Sequence, residues 1–333
     1  RFMKVSIVVL NFNGINLLKK FIPQLIKNSN GYDIYVVDNN SSDNSISFLK
    51  TEFPQVKIIR NKENYGYAGG YNNGLKQIDS DLFICLNNDA TFLDNKSIEN
   101  IAKVFEKNSA IIAAQPRIIN YSNKDLYDYA GASGGFIDLF GFPFCRGRIL
   151  NHIENTTKYQ TTREVFWASG ACLAIRKKSF ESVNGFDSSF FAHMEEIDLC
   201  WRLKNKDINN KIVVIGNSRV YHLGGGTLND NSSFKYYLNF RNSIIMLVKN
   251  LPKRMLFISL FGRFLTDLLI LFFSLLALRF NVFFGLLKAY SYLTINIFKL
   301  KRVNVNNEYY RFYYCKSIFY NYFLRSKKIF SKI

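Results

Sequence analysis

The chain has 333 residues, 48% of them hydrophobic and 16% aromatic, which is enough to bury a sizeable core and excludes a disordered chain. Its net charge of +19 is uneven: from Arg241 onward sixteen Lys and Arg face only Asp267 and Glu308, so the tail carries +14 and residues 1–240 carry +5. A basic, aromatic-rich tail on a nearly balanced body suits an anionic partner, either membrane or nucleic acid.

Residues 4–10 are rich in β-branched side chains and read as a buried strand. The run holds only six apolar residues before Asn11, too short for a secretory h-region, so no export is expected. It ends in the turn cluster Asn11-Phe12-Asn13-Gly14, and residues 17–26 follow with helical spacing. A second strand over 34–37 ends in Asp38-Asn39-Asn40-Ser41-Ser42-Asp43, where Ser42 or Asp43 could cap a helix running to about Phe53. Strands are expected over 56–60, 82–86 and 111–115, with helices opening at Gly66 and spanning 98–105. This alternation implies βαβ units and an α/β fold with a mostly parallel sheet.

Three strand ends then carry polar residues on one sheet edge: Asn11 to Asn13, Asp38, and Asn87-Asn88-Asp89. Ligands of open α/β sheets sit at that edge. A carboxylate and two amides could hold a hard cation and the phosphates it bridges, or could simply form a turn. Asp38 could accept the imide N–H of a pyrimidine base while Phe12 stacks on its ring. Gly66, Gly69, Gly70 and Gly74 around Asn72 allow close backbone approach to a ligand, or only a helix start. Neither a GxGxxG fingerprint after the first strand nor a GxxxxGK[ST] loop is present, which ranks dinucleotide and ATP sites low.

The segments Val5-Ser6-Ile7-Val8-Val9-Leu10-Asn11-Phe12-Asn13-Gly14, Val36-Val37-Asp38-Asn39-Asn40-Ser41-Ser42-Asp43, Asn64-Tyr65-Gly66 with Asn72, and Leu86-Asn87-Asn88-Asp89 resemble family 2 glycosyltransferases, nearest the rhamnosyltransferase-like subgroup. The resemblance implies the GT-A fold, a nucleotide-diphosphate sugar donor and a divalent metal, Mn²⁺ or Mg²⁺. It implies that Asp38 reads the base and that Asp89 is the metal-binding end of a DxD motif. Asn87 stands where that motif has its first Asp. Leu10, Asn11, Phe12, Asn64, Gly66, Asn72, Asn87 and Asn88 are the matching candidates for donor binding.

Further along, residues 129–148 are Gly- and Phe-rich without a period, as expected of a mobile loop over the site or a structural Ω-loop. Trp167-Ala168-Ser169-Gly170 combines an aromatic ring with small residues, leaving space for a sugar against Trp167, Ser169 and Gly170, or else a core Trp over a bulge. Glu195, Glu196 and Asp198 place three carboxylates in four residues, costly without a cation or a functional need. At a helix start the dipole favours their ionised form; in the structural alternative they decorate that turn, with Arg202 a surface partner. Inverting glycosyl transfer needs one such carboxylate to take the acceptor's proton. Ser169-Gly170-Ala171, Gly185-Phe186-Asp187 and Glu195-Glu196-Ile197-Asp198 resemble the second half of the same family, whose usual base falls on Glu196, with Glu195 and Asp198 as fallbacks. The family's His-containing segment falls on His222-Leu223-Gly224-Gly225-Gly226, implying that His222 completes metal or diphosphate binding.

Residues 234–251 read as an amphipathic helix with Arg241 and Lys249 outward. Residues 255–278 form an apolar stretch interrupted only by Arg263 and Asp267, which could pair at i,i+4, and 281–298 form a second. In-plane or re-entrant membrane helices are favoured over two full spans, an oligomerisation bundle being the alternative. The five cysteines form no CxxC pair and read as reduced thiols. The expected organisation is therefore a catalytic domain over 1–233 (nucleotide-sugar half 1–120, acceptor half 121–233) and a membrane-associating tail over 234–333. The leading reading is a transferase at the cytoplasmic membrane face acting on a lipid-linked or glycan acceptor. A processive synthase lacks support, since neither Trp sits in a Gln-x-x-Arg-Trp motif. A nucleic-acid binder ranks below both, because the tail is far more apolar than a phosphate-binding arm.

Overall fold

A computed structural model describes residues 3–224, 232–303, 305 and 312–333. The first half alternates as expected: β1 (Val5–Asn11), α1 (Ile15–Lys27), β2 (Asp33–Asp38), α2 (Ser45–Glu52), β3 (Lys57–Arg60), α3 (Gly66–Leu75), β4 (Leu82–Asn87), β5 (Ala90–Phe92), α4 (Asn95–Lys107) and β6 (Ile111–Asn120). β1 pairs in parallel with β2 and β4, and β2 with β3. Ile7 and Val9 enter one hydrophobic core and Val8 the other, so both sheet faces are covered and the strands are apolar throughout. Asp43, rather than Ser42, reaches the start of α2, accepting from Ser45 N–H at 3.0 Å and from Ile15 N–H at 3.0 Å.

Residues 129–148 are not a loop. They build most of an antiparallel meander, β7 (Gly135–Ile137), β8 (Pro143–Cys145), β9 (Arg148–Ile149) and β10 (His152–Ile153). Positive φ at Gly141 and Gly147 makes its first two turns, so glycines that looked like loop residues are turn residues, and Leu150 takes positive φ in the third. Phe144 and Cys145 are fully buried, and Tyr314 and Phe330 from the C-terminal segment pack on Phe136 and Phe144.

After β11 (Arg163–Glu164), β12 (Cys172–Arg176) enters antiparallel between β4 and β6, and α5 (Lys177–Ser182) and α6 (Glu195–Lys206) follow. A long strand follows, β13 (Lys211–His222), parallel to β6. Its register slips between Ile215 and Arg219, opposite Pro116, which has no N–H to offer the ladder. The far end of β13 pairs with β5, setting His222 opposite Ala90.

Three long helices follow among the described residues, α7 (Ser233–Asn250), α8 (Lys253–Leu276) and α9 (Phe280–Asn296). α7 sends Ile244, Ile245, Met246 and Leu247 into the same core as Trp201 and Leu203. Arg241 and Lys249, expected outward, are buried at 8% and 7% exposure because each finds polar partners on the body. Arg202 is likewise buried rather than superficial, 2.6 Å from Asp198. On α8, Arg263 and Asp267 do pair, at 2.8 Å, and Tyr290 O–H donates to Asp267. The rest of α8 is largely uncovered, with Phe257, Phe261, Leu269 and Phe273 exposed.

Candidate active site

The parallel register aligns the polar strand ends: Asn11 lies opposite Asp38, and Leu10 opposite Asn87. Asn11 Nδ2 donates to Asp38 and Ser41, while Asn88 Nδ2 donates to Asn11 Oδ1 at 3.0 Å. Asp38 is wholly buried and also accepts from Ser41 N–H at 2.9 Å. Its carboxylate therefore orders the ends of β1 and β2, and direct contact with a base requires the 38–41 turn to open. Phe12 projects from the same edge at 38% exposure, a ring available for stacking.

The glycines of α3 serve the protein itself. A side chain at Gly66 would meet Phe191 O, at Gly70 it would meet Leu10 and Asn39, and at Gly74 it would meet Val37, each below 3.0 Å. Asn64 accepts from Gly66 N–H, and Asn72 exchanges two hydrogen bonds with the Phe186 backbone. Gly66, Asn64 and Asn72 thus shape the α3 region. The expectation for Trp167 is corrected. Its Nε1 donates to Phe136 O, it is 5% exposed, and Gly135 lies against its ring, so it offers no face to a sugar. Ser169 is buried, donating to Ala130 O at 2.7 Å.

At the end of β4, His222 Nε2 stands 3.1 Å from Asp89 Oδ1 and 3.3 Å from the Asn87 amide. Its Nδ1 lies 2.9 Å from Asp128 Oδ1. Asp128 is a residue that sequence reasoning missed: it lies 94 positions from His222, in a segment without periodicity. Burial pulls the imidazole's pKa down, but hydrogen bonds to Asp128 and Asp89 outweigh it and raise it to about 10. Asp89 Oδ1 and His222 Nε2 could give two ligands to a divalent ion once the imidazole gives up the proton it holds toward Asp89. Neighbouring ligands at bonds of roughly 2.1 Å lie about 3 Å apart, the spacing of Asp89 Oδ1 and His222 Nε2. A carboxylate on the other ring nitrogen is how metal-bound histidines are oriented. Among the described residues, no three such side chains gather about one point. Gly225 and Gly226 of the same segment lie outside the described residues.

The second centre is the start of α6. Its cap, Met194, sits at φ 70° with His193 at 70° and Phe191 at 63°, left-handed positions unusual for residues with side chains. The three carboxylates separate in character. Asp198 is fully buried between Arg202 at 2.6 Å, Lys249 at 3.0 Å and Asn250 at 2.8 Å, so it is an anchor and no fallback base. Glu195 is buried, and burial together with the neighbouring Glu196 lifts it well above the carboxylate range. Glu196 is partly exposed, has one carboxylate oxygen without a partner, and is raised by burial against the pull of backbone N–H groups including Gly170.

Gly170 and Ala171 join the two centres. A Cβ at Gly170 would lie 3.8 Å from the Glu196 carboxyl carbon, and Ala171 O accepts from Asn87 N–H at 3.1 Å. Tyr67 O–H closes the corner on Gly170 O at 2.8 Å. Glu196 and Asn87, whose amide touches His222, therefore flank one short stretch of backbone.

The sequence profile of glycosyl transferase family 2 matches residues 6–183. The chain belongs to this family. Among curated proteins, the family 2 chain is 24% identical over 250 residues to the low-salt glycan biosynthesis hexosyltransferase Agl10 of Haloferax volcanii, covering 72% of this chain and 74% of that one. It is 26% identical to the rhamnosyltransferase WbbL of Escherichia coli K12, covering 60% and 76%. It is 23% identical to the N-acetylglucosaminyl-diphospho-decaprenol L-rhamnosyltransferase of Mycobacterium tuberculosis, covering 60% and 70%. Among solved structures it resembles GalNAc-T7 with UDP, GalNAc and Mn²⁺ at a TM-score of 0.57 and 17% identity, over 74% of this chain and about half (48%) of that one. The mannosyltransferase PcManGT from Pyrobaculum calidifontis, with GDP-Man and Mn²⁺, matches at 0.53 and 11%, over 89% and 76%. These likenesses carry the fold: the mixed sheet flanked by helices is the expected GT-A fold.

Proposed function

We propose that this glycosyltransferase moves a single sugar, with inversion, from a nucleotide-diphosphate donor to a lipid-linked or glycan acceptor at the cytoplasmic membrane face. The observation that carries the reading is that Gly170–Ala171 has the Glu196 carboxyl beside it and also accepts from the backbone of Asn87, whose side-chain amide lies 3.3 Å from His222 Nε2. Glu196, ionised, takes the proton of the acceptor hydroxyl as that oxygen bonds to C1, and the bond from C1 to the diphosphate breaks. A raised pKa makes its carboxylate a stronger base than an exposed one. Asp89 and His222 would hold Mn²⁺ or Mg²⁺, with Asn87 and Asn88 beside them; the ion, when bound, neutralises charge on the departing diphosphate. Asp128 fixes the His222 ring. Phe12 stacks on the base. The names of two relatives support these acceptors, one being a glycan biosynthesis hexosyltransferase and the other an N-acetylglucosaminyl-diphospho-decaprenol L-rhamnosyltransferase.

A panel of nucleotide sugars with Mn²⁺, read by transfer and by the anomeric configuration of the product, tests this. Asp89→Ala and Glu196→Gln should each lower transfer by about 100-fold or more, and only Asp89→Ala should weaken metal-dependent donor binding in a thermal-shift titration. Retained transfer by Glu196→Gln, or a retained anomeric configuration, rejects the assignment.

A further inference from the structure

We infer that α7 belongs to the catalytic apparatus: Asn242 and Arg241 are positioning residues that hold the 189–194 turn, and through it Glu196, in working geometry. This rests on Glu196 being the base. Three residues of that turn, Phe191, His193 and Met194, occupy left-handed backbone positions that a side chain disfavours, so something outside the turn must hold them. The turn lacks a capping side chain of its own at Met194.

Asn242 supplies the hold. Its two Nδ2–H groups are shared among the carbonyls of Phe190, Ala192 and His193, which lie 3.0, 2.9 and 2.8 Å from the nitrogen. Arg241 Nε donates to Asn242 Oδ1 at 2.8 Å, which turns the amide so that its N–H groups face the turn. The Arg241 guanidinium also donates to Ser189 O and Phe190 O. The turn in turn grips the donor side, because Phe191 O accepts from Tyr67 N–H and Ala68 N–H, first-turn amides of α3 that have no partner within their helix. Past the base, Lys249 and Asn250 of the same helix bind Asp198. α7 therefore fixes the chain on both sides of Glu196. It lies beyond the segment that the family profile matches, and Arg241 rests on the rings of Tyr237 and Tyr292, which ties it to α9.

Asn242→Asp keeps the shape and removes the donors. With a nucleotide sugar that the wild type turns over with Mn²⁺, its kcat should fall by about 10- to 100-fold, as a displacement near 1 Å does. The donor KM should stay within about twofold, the signature of a misplaced base rather than lost binding. Hydrogen exchange at the Tyr67 and Ala68 amides should quicken by about tenfold or more. Unchanged kcat in a folded Asn242→Asp protein overturns the inference, as does a loss of kcat matched by an equal rise in KM. Should that variant fail to fold, Asn242→Ser, which keeps one donor, should show intermediate kcat, and wild-type kcat there overturns the inference. If the wild type transfers no sugar from any donor, the proposed function fails; quickened exchange in Asn242→Asp then still supports the clamp, and unchanged exchange rejects it.

Discussion

As the proposed base, Glu196 has to be charged to accept a proton and shielded from water to accept it strongly, and its surroundings set the compromise. Burial raises its pKa, so it ionises later than an ordinary carboxylate as pH rises. The rate should therefore fall with decreasing pH through an apparent pKa above the usual Glu value of about 4.3. A profile of kcat against pH at saturating metal checks this, and an acid limb at or below the ordinary value would reject Glu196 as the titrating base. The stability sign is opposite: a carboxylate with a raised pKa favours the fold while protonated, and that contribution is lost as pH rises through its folded pKa. At this scale the sequence was informative about charge and uninformative about partners. The three carboxylates at 195, 196 and 198 were visible together, but nothing local told that Asp198 is neutralised by Lys249, 51 positions on. Asp128 stayed hidden for the same reason. Trp167 misled because a Trp beside small residues describes a sugar platform and a packed ring equally well; Gly135, from another segment, decides for packing.

At the scale of elements, the strands and helices of the first half were legible because buried parallel strands are continuously apolar and break sharply at polar turns. The meander was not, since two- and three-residue strands show no period and their glycines resemble those of a loop. Its fit against the body makes a stability prediction. A methyl at Gly135 would stand 2.0 Å from Trp167 Cε2, so Gly135→Ala should destabilise the chain by about 1–3 kcal/mol through overpacking, seen as a lower midpoint in denaturant. An unchanged midpoint would mean that the ring has room to move and that the packed reading of Trp167 is mistaken. α7 was recognised as a helix but its faces were assigned wrongly. Hydropathy places Arg and Lys outside, yet here Arg241 and Lys249 are drawn inward by carbonyls and carboxylates that only the tertiary fold supplies.

For the whole molecule, one helix among the described residues, α8, is long and apolar enough to cross a membrane, and little of it is covered by the protein. Its exposed Phe and Leu side chains, with the excess of Lys and Arg in the tail, suit insertion among anionic lipids in the plane of the bilayer or as a re-entrant segment. The chain should then stay with anionic vesicles at about 1 M salt, where charge attraction is screened to about 3 Å, and should be released by detergent. Release by salt alone in a flotation assay would reject insertion in favour of surface charge.

The meeting of β5 with β13 bears on how the enzyme is born. Asn87 and His222 touch although 135 positions separate them, so this corner cannot assemble until β13 has been synthesised. Contacts spanning so much chain form slowly, and a translation product cut short of β13 would have a sheet without its histidine. The proposed site is thus completed only shortly before the apolar helices α7, α8 and α9 are made.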